Sequence, residues 1–262
     1  MDEIILYLPP DARVLDLGSG SGSFRACART IRTDCLRPPV INGGEFVQAS
    51  ADRLPFRSNS LDAIICNHSL EHVDELAGVL AEIGRVVRAD GSLFVSVPDA
   101  STLTDRVYRW LFHGGQHVNA FTSAPELAGR ITQATGLPLI ATLVLHSSLN
   151  FLQRSRFHPR PPRRMWLIGN GDLRVIAMLT FALRMFDRLF STRATVYGWA
   201  FYFGRIPVAV EPREWRNVCV GCGVGFAEAY LRAHAQVHST LGFLKSYNCP
   251  QCGVWNLLTA DD

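Results

Sequence analysis

The sequence predicts an α/β fold: a largely parallel, seven-stranded sheet, then a helical region and a small cysteine-rich module. Three observations carry this. Val14-Leu15-Asp16-Leu17 runs straight into Gly18-Ser19-Gly20-Ser21-Gly22, an apolar strand that meets glycine at every second position. Unbroken apolar runs at Ala63–Cys66 and Leu93–Val97 flank a segment whose apolar residues recur every three or four positions. Strands buried on both faces and alternating with amphipathic helices mark a parallel sheet. Near the end, Cys219-Val220-Gly221-Cys222-Gly223 and Cys249-Pro250-Gln251-Cys252-Gly253 repeat one C-x-x-C-G pattern.

Taken in order, residues 3–9 form one helical turn closed by Pro9-Pro10. Residues 13–17 are the first strand. The glycines after it allow φ > 0 and let a ligand approach with no Cβ in the way, at the carboxyl end of a strand, where open α/β sheets bind ligands. Only Ser23–Ala28 can supply a helix before the second strand, which ends on Asp34. An acid at that tip accepts ribose hydroxyls. The stretch from Asp34 to Phe46 carries Pro38-Pro39 and Gly43-Gly44 and reads as a loop, so the domain is trimmed on this side. Phe46–Ala49 is the third strand and Ala63–Cys66 the fourth. Val73, Leu76, Leu80, Ile83 and Val87 line one helix face, stopped by Asp90-Gly91. Leu93–Val97 is the fifth strand, ended by Pro98. Ser123 caps a helix with Pro125 and Glu126 in its first turn, and Gly136 ends it. Strands near Leu139–Val144 and Ser148–Leu152 complete the expected sheet.

Arg154–Arg164 holds five arginines and three prolines and reads as an extended, exposed boundary. Beyond it, Leu173–Phe190 is one helix with Ile176, Leu179, Leu183, Phe186 and Phe190 along a face, and Thr195–Tyr197 and Trp199–Phe203 are β-like. The division expected is a nucleotide-binding domain over 1–155, a linker with an amphipathic helical and β region over 156–210, and a metal ribbon over 211–262.

Five motifs occur in a telling order: the glycine loop with Asp34; Ala51-Asp52-Arg53-Leu54-Pro55-Phe56; Asn59-Ser60-Leu61-Asp62; Leu70-Glu71-His72-Val73; and Glu82-Ile83-Gly84-Arg85-Val86, closed by Gly91. This order resembles the class I methyltransferases that use S-adenosyl-L-methionine, specifically the broad type 11 group, over roughly residues 12 to 98. The resemblance implies a Rossmann-like, seven-stranded methyltransferase sheet. It implies that Gly18, Gly20 and Gly22 wrap the methionine part of the cofactor, that Asp16 orders the loop and reaches the cofactor amino group through water, and that Asp34 takes the ribose. Relatives carry aspartate just before Ala51, where this chain has Ser50; Ser50 or Asp52 is then the group for the adenine, with a loop acid paired to Arg53 or Arg57 as the plainer role of Asp52.

Asn67 and His68 follow the fourth strand and face the sulfonium in this reading. If the acceptor is a hydroxyl, a base within reach helps. His68 and His117 are the candidates. His117 sits in a glycine-hinged loop at 114–121, where relatives build the acceptor pocket, and is equally well explained as a surface histidine. His72 opens a helix and reads as structural. No Asn/Asp-Pro-Pro-Tyr follows the fourth strand, which counts against methylation of a base nitrogen.

The two C-x-x-C-G turns bring four thiolates to one ion, and four thiolates suit a structural, tetrahedral Zn²⁺ held by Cys219, Cys222, Cys249 and Cys252. Cys27, Cys35 and Cys66 read as small core residues. The formal charge of +3 is too small to argue for nucleic acid. Lys245 is the only lysine, and arginine carries the rest of the positive charge. The acidic start and paired cysteines point to a reducing, cytoplasmic setting. No run reaches transmembrane length. The helix at 173–190 either packs over the acceptor site, the preferred reading, or makes peripheral membrane contact. The expected function is methyl transfer to an acceptor the sequence does not identify, with a small molecule, lipid or glycan favoured. The alternatives are an RNA methyltransferase whose ribbon presents the substrate, supported by the arginine-rich boundary, and a catalytically silent methyltransferase-fold binding module.

Overall fold

A computed structural model describes residues 1–27, 29–111, 117–156, 163–210, 216–240 and 244–260. In chain order the elements are α1 (Asp2–Ile5), β1 (Arg13–Leu17), β2 (Arg29–Asp34), β3 (Glu45–Gln48), β4 (Leu61–Asn67), α2 (Leu76–Val86), β5 (Val87–Pro98), α3 (Leu103–Leu111), α4 (Ala124–Thr135), β6 (Leu139–His146), α5 (Leu173–Phe190), β7 (Val196–Gly204), β8 (Asn217–Val218), β9 (Gly225–Phe226), α6 (Glu228–His234), β10 (Val237–Thr240), β11 (Leu244–Asn248) and β12 (Trp255–Leu257). Short 3₁₀ turns lie at Leu70–His72, Asn150–Leu152, Arg154–Arg156 and Arg163–Gly171.

The chain forms two compact units, each drawn from several separate stretches: Met1–Asp99, Gln116–Leu143 and Trp199–Pro212 in the first; Ala100–Gly115, Val144–Gly198 and Arg213–Asp262 in the second. The expected boundaries at 155/156 and 210/211 therefore do not coincide with the unit boundaries.

The first unit holds a seven-stranded sheet of order β3-β2-β1-β4-β5-β7-β6. β1 pairs in parallel with β2 and β4, β2 with β3, and β4 with β5. The carboxyl ends of β1, β2 and β4 therefore lie along one edge. β7 ends where its neighbours begin: Gly204 N–H donates to Pro138 C=O at 2.9 Å and Arg205 N–H to Gly91 C=O at 3.0 Å. The seventh strand is thus the β-like stretch at 196–204, and the expected strand at 148–152 is replaced by a 3₁₀ turn. Trp199, Phe201 and Phe203 alternate toward the main core, which supplies the burial that 148–152 lacks.

α2 buries Leu76, Val79, Leu80, Ile83 and Val86. Each such side chain contributes about 1.5–3 kcal/mol over remaining exposed. A Cβ at Gly84 would lie 2.5 Å from Ala134 C=O, so that glycine sets how closely α2 approaches α4. Ser123 caps α4 by accepting from Glu126 N–H, and Gly136 ends it with φ 72°.

No helix forms over residues 23–27, the stretch that could have supplied one, and residues 35–44 are a loop, as expected. These irregular stretches hang instead on Arg32. Its guanidinium is wholly buried beside Asp16 and donates to Gly43 C=O at 2.7 Å, Phe24 C=O at 2.6 Å and Asn42 C=O at 2.9 Å. Nothing in the hydrophobic pattern of β2 announces this.

In the second unit, α5 is capped by Asp172, which accepts from Arg174 N–H at 2.9 Å and Val175 N–H at 3.1 Å. The helix buries Ile176, Ala177, Thr180 and Arg184. The face expected from spacing is corrected: Leu179, Phe186 and Phe190 are exposed, Phe190 to 64%. Ile176 and Ala177 share a core with Leu111, Leu149, Leu152, Met165 and Val220. Val220 belongs to the first cysteine turn, so the cysteine-rich stretch packs into this core. α3 was not expected, because its inward positions include Thr104 and Asp105 while Leu103 and Trp110 face out. Of the arginine-rich boundary, residues 157–162 lie outside the described residues. Cys66 is buried, as a core cysteine should be, but Cys35 is exposed.

Arg32→Ala should destabilise the protein by about 3–5 kcal/mol, because it leaves the Asp16 carboxylate buried without its cation. Denaturant unfolding of the variant beside the wild type checks this; a change below about 1 kcal/mol would show that the pair does not organise the loops.

Candidate functional site

The candidate site of the first unit is assembled at the carboxyl ends of β1, β2 and β4. Three glycines leave β1, and their surroundings differ. A Cβ on Gly18 would lie 2.4 Å from Ser69 Cβ. One on Gly22, where φ is 126°, would lie 2.7 Å from the Arg32 guanidinium. A Cβ on Gly20 would meet nothing within 4 Å. Gly18 and Gly22 thus let protein approach, and Gly20 faces open space.

Asp16 is fully buried. Its Oδ2 accepts from Ser23 N–H at 2.9 Å and from Arg32. Burial pushes its carboxyl above the usual aspartate range, against the pull of Ser23 and Arg32. It holds the glycine loop from beneath. Asp34 stands at the tip of β2, partly exposed, and its Oδ2 accepts from Gly20 N–H at 2.9 Å. The acid and the open glycine are therefore neighbours. Its Oδ1 accepts from Leu36 N–H at 3.2 Å.

Ser50 and Asp52 hold each other, the serine hydroxyl donating to Asp52 Oδ1. Asp52 also lies 4.0 Å from the exposed Arg53 guanidinium. Ala51 packs against the core between them. Two motifs remote in sequence meet behind this edge. Arg85 donates to Phe56 C=O at 2.7 Å and to Leu54 C=O at 3.0 Å, while Glu82 accepts from Leu54 N–H at 2.8 Å and from Arg85. Hydrogen bonding to Arg85 holds the Glu82 carboxyl below its usual range.

At the end of β4, Asn67 Oδ1 accepts from Ser96 Oγ at 2.7 Å. His68 then takes φ 54°, in the left-handed region, and donates its backbone N–H to Ser96 C=O at 3.0 Å. This turn sets His68 Nδ1 3.5 Å from Glu71 Oε1. Ser69 ties the turn to β1 by donating to Leu17 C=O at 2.9 Å. Residues 117–119 fold back onto it: Val118 and Asn119 N–H donate to Glu71 C=O at 2.8 and 3.0 Å, and Asn119 Nδ2 donates to Leu70 C=O and Val73 C=O at 2.9 and 2.6 Å. The His117 ring stands edge-on to His72, centroids 5.0 Å apart. Residues 114–116 of that loop lie outside the described residues. His68 and His117, singled out separately in the sequence, thus flank one turn, together with Glu71 and His72. Sequence reasoning missed Glu71: it sits inside a motif, and only the return of 117–119 shows that its side chain is buried.

In the second unit, Cys219, Cys222, Cys249 and Cys252 bring their sulfurs within 4.8 Å of one another. Cys219 and Cys252 sulfurs are 3.6 Å apart, and those of Cys222 and Cys249 are 3.7 Å apart. A tetrahedron with bonds of about 2.3 Å requires edges of about 3.8 Å. The two turns repeat each other: Gly223 N–H donates to Cys219 C=O at 2.9 Å and Gly253 N–H to Cys249 C=O at 2.8 Å, with φ 79° and 74° at the two glycines. Gly221 N–H and Asn256 Nδ2 donate to Cys219 Sγ, each at 3.3 Å. Burial pushes the Cys222 thiol up to about 11 and Cys249 higher still.

A largely parallel sheet with a switch between β1 and β4, a glycine loop on a buried acid and a second acid at the tip of β2 define a doubly wound, nucleotide-binding type of α/β domain. Residues 15–95 match the methyltransferase domain family. The chain is 31% identical over 132 residues to malonyl-[acyl-carrier protein] O-methyltransferase of Methylococcus capsulatus, covering 44% of this chain and 48% of that protein. It is 26% identical over 147 residues to the ubiquinone biosynthesis O-methyltransferase of Xanthomonas oryzae pv. oryzae, covering 47% and 62%. Among solved structures, YcgJ of Bacillus subtilis overlays with a TM-score of 0.48 at 19% identity, covering 76% of this chain and 94% of that one. The chain thus spans about half the length, or less, of the first curated relatives it matches.

Proposed function

We propose that the protein transfers the methyl group of S-adenosylmethionine to an oxygen of a small-molecule or lipid-borne acceptor. The observation that carries this is Asp34 at the tip of β2, bonded to the amide of the one loop glycine that faces open space. Bound there, S-adenosylmethionine supplies an electrophilic methyl on a positively charged sulfur. The chain's own groups do the rest. Asp34 accepts the ribose hydroxyls, the loop amides meet the carboxylate, and Ser50 with Asp52 meets the adenine edge beside Ala51. Asn67, fixed by Ser96, lines the end of β4. His68, oriented by Glu71, takes the acceptor proton, and the turn carrying His117 closes the acceptor side. The oxygen acceptor is supported by the named O-methyltransferases among the relatives. Such catalysis rests mainly on aligning the two reactants.

We further propose that Cys219, Cys222, Cys249 and Cys252 hold one structural Zn²⁺; the donor set, the sulfur spacing and the paired amide donors support it. All four ligands come from protein, so no position remains for a reacting water. The exposed apolar side of α5 is proposed to meet a membrane surface. Met178, Leu179, Phe186, Leu189 and Phe190 are exposed there, and Trp166 and Leu167 are exposed on the 3₁₀ turn that leads in at 108°. Among the described residues no single helix is long and apolar enough to cross a membrane.

Calorimetry should show S-adenosylmethionine binding, weakened by about 1–3 kcal/mol in Asp34→Ala, the cost of leaving hydroxyls unpaired. No binding by the wild-type protein would remove the enzyme reading. Metal analysis of protein purified without chelator should find one tightly held zinc per chain that resists dialysis, and Cys222→Ser should lose it. Sedimentation with anionic liposomes should carry the protein down, and Phe186→Ser/Phe190→Ser should leave it in solution.

A further inference from the structure

We propose that Glu71, His72 and His117 form a second cation site, for a divalent first-row transition ion, on the acceptor side of the methyltransferase domain. One carboxylate oxygen of Glu71 and one ring nitrogen of each histidine lie within 4.8 Å of one another. Glu71 is 1% exposed, and its Oε2 is buried without a hydrogen-bond partner among the described residues. A buried carboxylate oxygen left unpaired costs free energy of the kind a bound cation recovers. Its other oxygen lies 3.5 Å from His68 Nδ1, and Oε2 is left to meet the ion.

The backbone fixes this cluster from both sides. Glu71 C=O accepts from Val118 and Asn119 N–H, which places His117 beside His72. The positive φ at His68 turns the chain so that residues 71 and 72 follow directly on the end of β4. Two imidazoles and one carboxylate suit Mn²⁺, Fe²⁺ or Zn²⁺ and leave coordination positions open. An acceptor that presents oxygen, such as a hydroxyl beside a second oxygen, fills those positions. The ion then lowers the hydroxyl pKa and holds the oxygen toward the methyl donor. The role in transfer rests on the methyl-transfer reading; cation binding itself does not.

The test uses the full chain with its cysteine site loaded with zinc, and Mn²⁺ as the probe, since Mn²⁺ discriminates against thiolates. Titration followed by the paramagnetic resonance of free Mn²⁺ should show one bound ion per chain. His117→Ala and Glu71→Gln should each weaken it by about tenfold or more. S-adenosylmethionine binding and the unfolding midpoint, measured on the same samples, show that the variants are folded. Wild-type protein that takes up no Mn²⁺ overturns the proposal, as does binding unchanged in both variants. Mn²⁺ uptake without S-adenosylmethionine binding would leave the cation site standing and remove the methyl-transfer reading.

Discussion

The ion pair between Asp16 and Arg32 is the constraint on which the candidate site depends. Both side chains are wholly buried, one on β1 and the other on the adjoining β2. The trimmed side of the sheet has no helices over residues 23–27 and 35–44 to satisfy its backbone, so three carbonyls from these stretches converge on one guanidinium. Arginine suits this role because its planar fork serves several acceptors at once, which a lysine ammonium on a flexible stem does less well. Gly22 is glycine because that fork lies against it. The shape of the loop is therefore set from inside the protein, and the open position at Gly20 is formed by protein groups alone, as ligand sites usually are.

The same economy appears at the other strand ends. Ser69 fills the space left by Gly18 and bonds the end of β1, so the exits of β1 and β4 are fixed relative to each other. Glu82 and Arg85 clamp Leu54 and Phe56, which steadies the segment just after Ser50, Ala51 and Asp52. Residues that line a ligand site can then be short and partly exposed, because second partners hold their backbones. Asn67, Asp34 and Ser50 are each held by protein neighbours and keep further acceptor capacity.

What the sequence revealed follows from how each signal arises. Strands buried on both faces, an amphipathic helix at 76–86 and a serine-capped helix at 124–135 leave local patterns, and they were legible. The seventh strand was misplaced because order along the chain does not specify which later strand reaches the sheet; Trp199, Phe201 and Phe203 carried the alternation, but 148–152 came first. α3 was hidden because its inward face carries Thr104 and Asp105, so no apolar period marks it. The face of α5 was misjudged for the converse reason: its bulkiest residues lie outward, and small or polar ones, Ala177, Thr180 and Arg184, lie inward. Arg32 and Glu71 are buried charges, and burial of a charge is decided by partners that periodicity does not encode.

Arg184 shows what such a partner does in the second unit. It is buried in the inner face of α5 and donates to Val218 C=O, next to Cys219, at 2.7 Å. Burial pulls its guanidinium down to about 10, and the groups that draw it back up are Tyr247 and Cys219. A buried cation without a carboxylate is costly unless another anion faces it. In the proposed zinc site, four thiolates around one divalent ion carry a net charge of −2, which the Arg184 guanidinium on α5 would offset. Gln153 adds two donor bonds to Val220 C=O and Gly221 C=O on the first cysteine turn, each at 2.6 Å. The cysteine-rich stretch thus takes apolar burial from α5 and hydrogen bonds from α5 and its lead-in segment. A module of its size would otherwise draw most of its folding free energy from the metal. On the proposed zinc reading, the metal, the buried arginine and the shared core form one cooperative piece, and removing the ion is expected to loosen α5 as well as the turns that bind it.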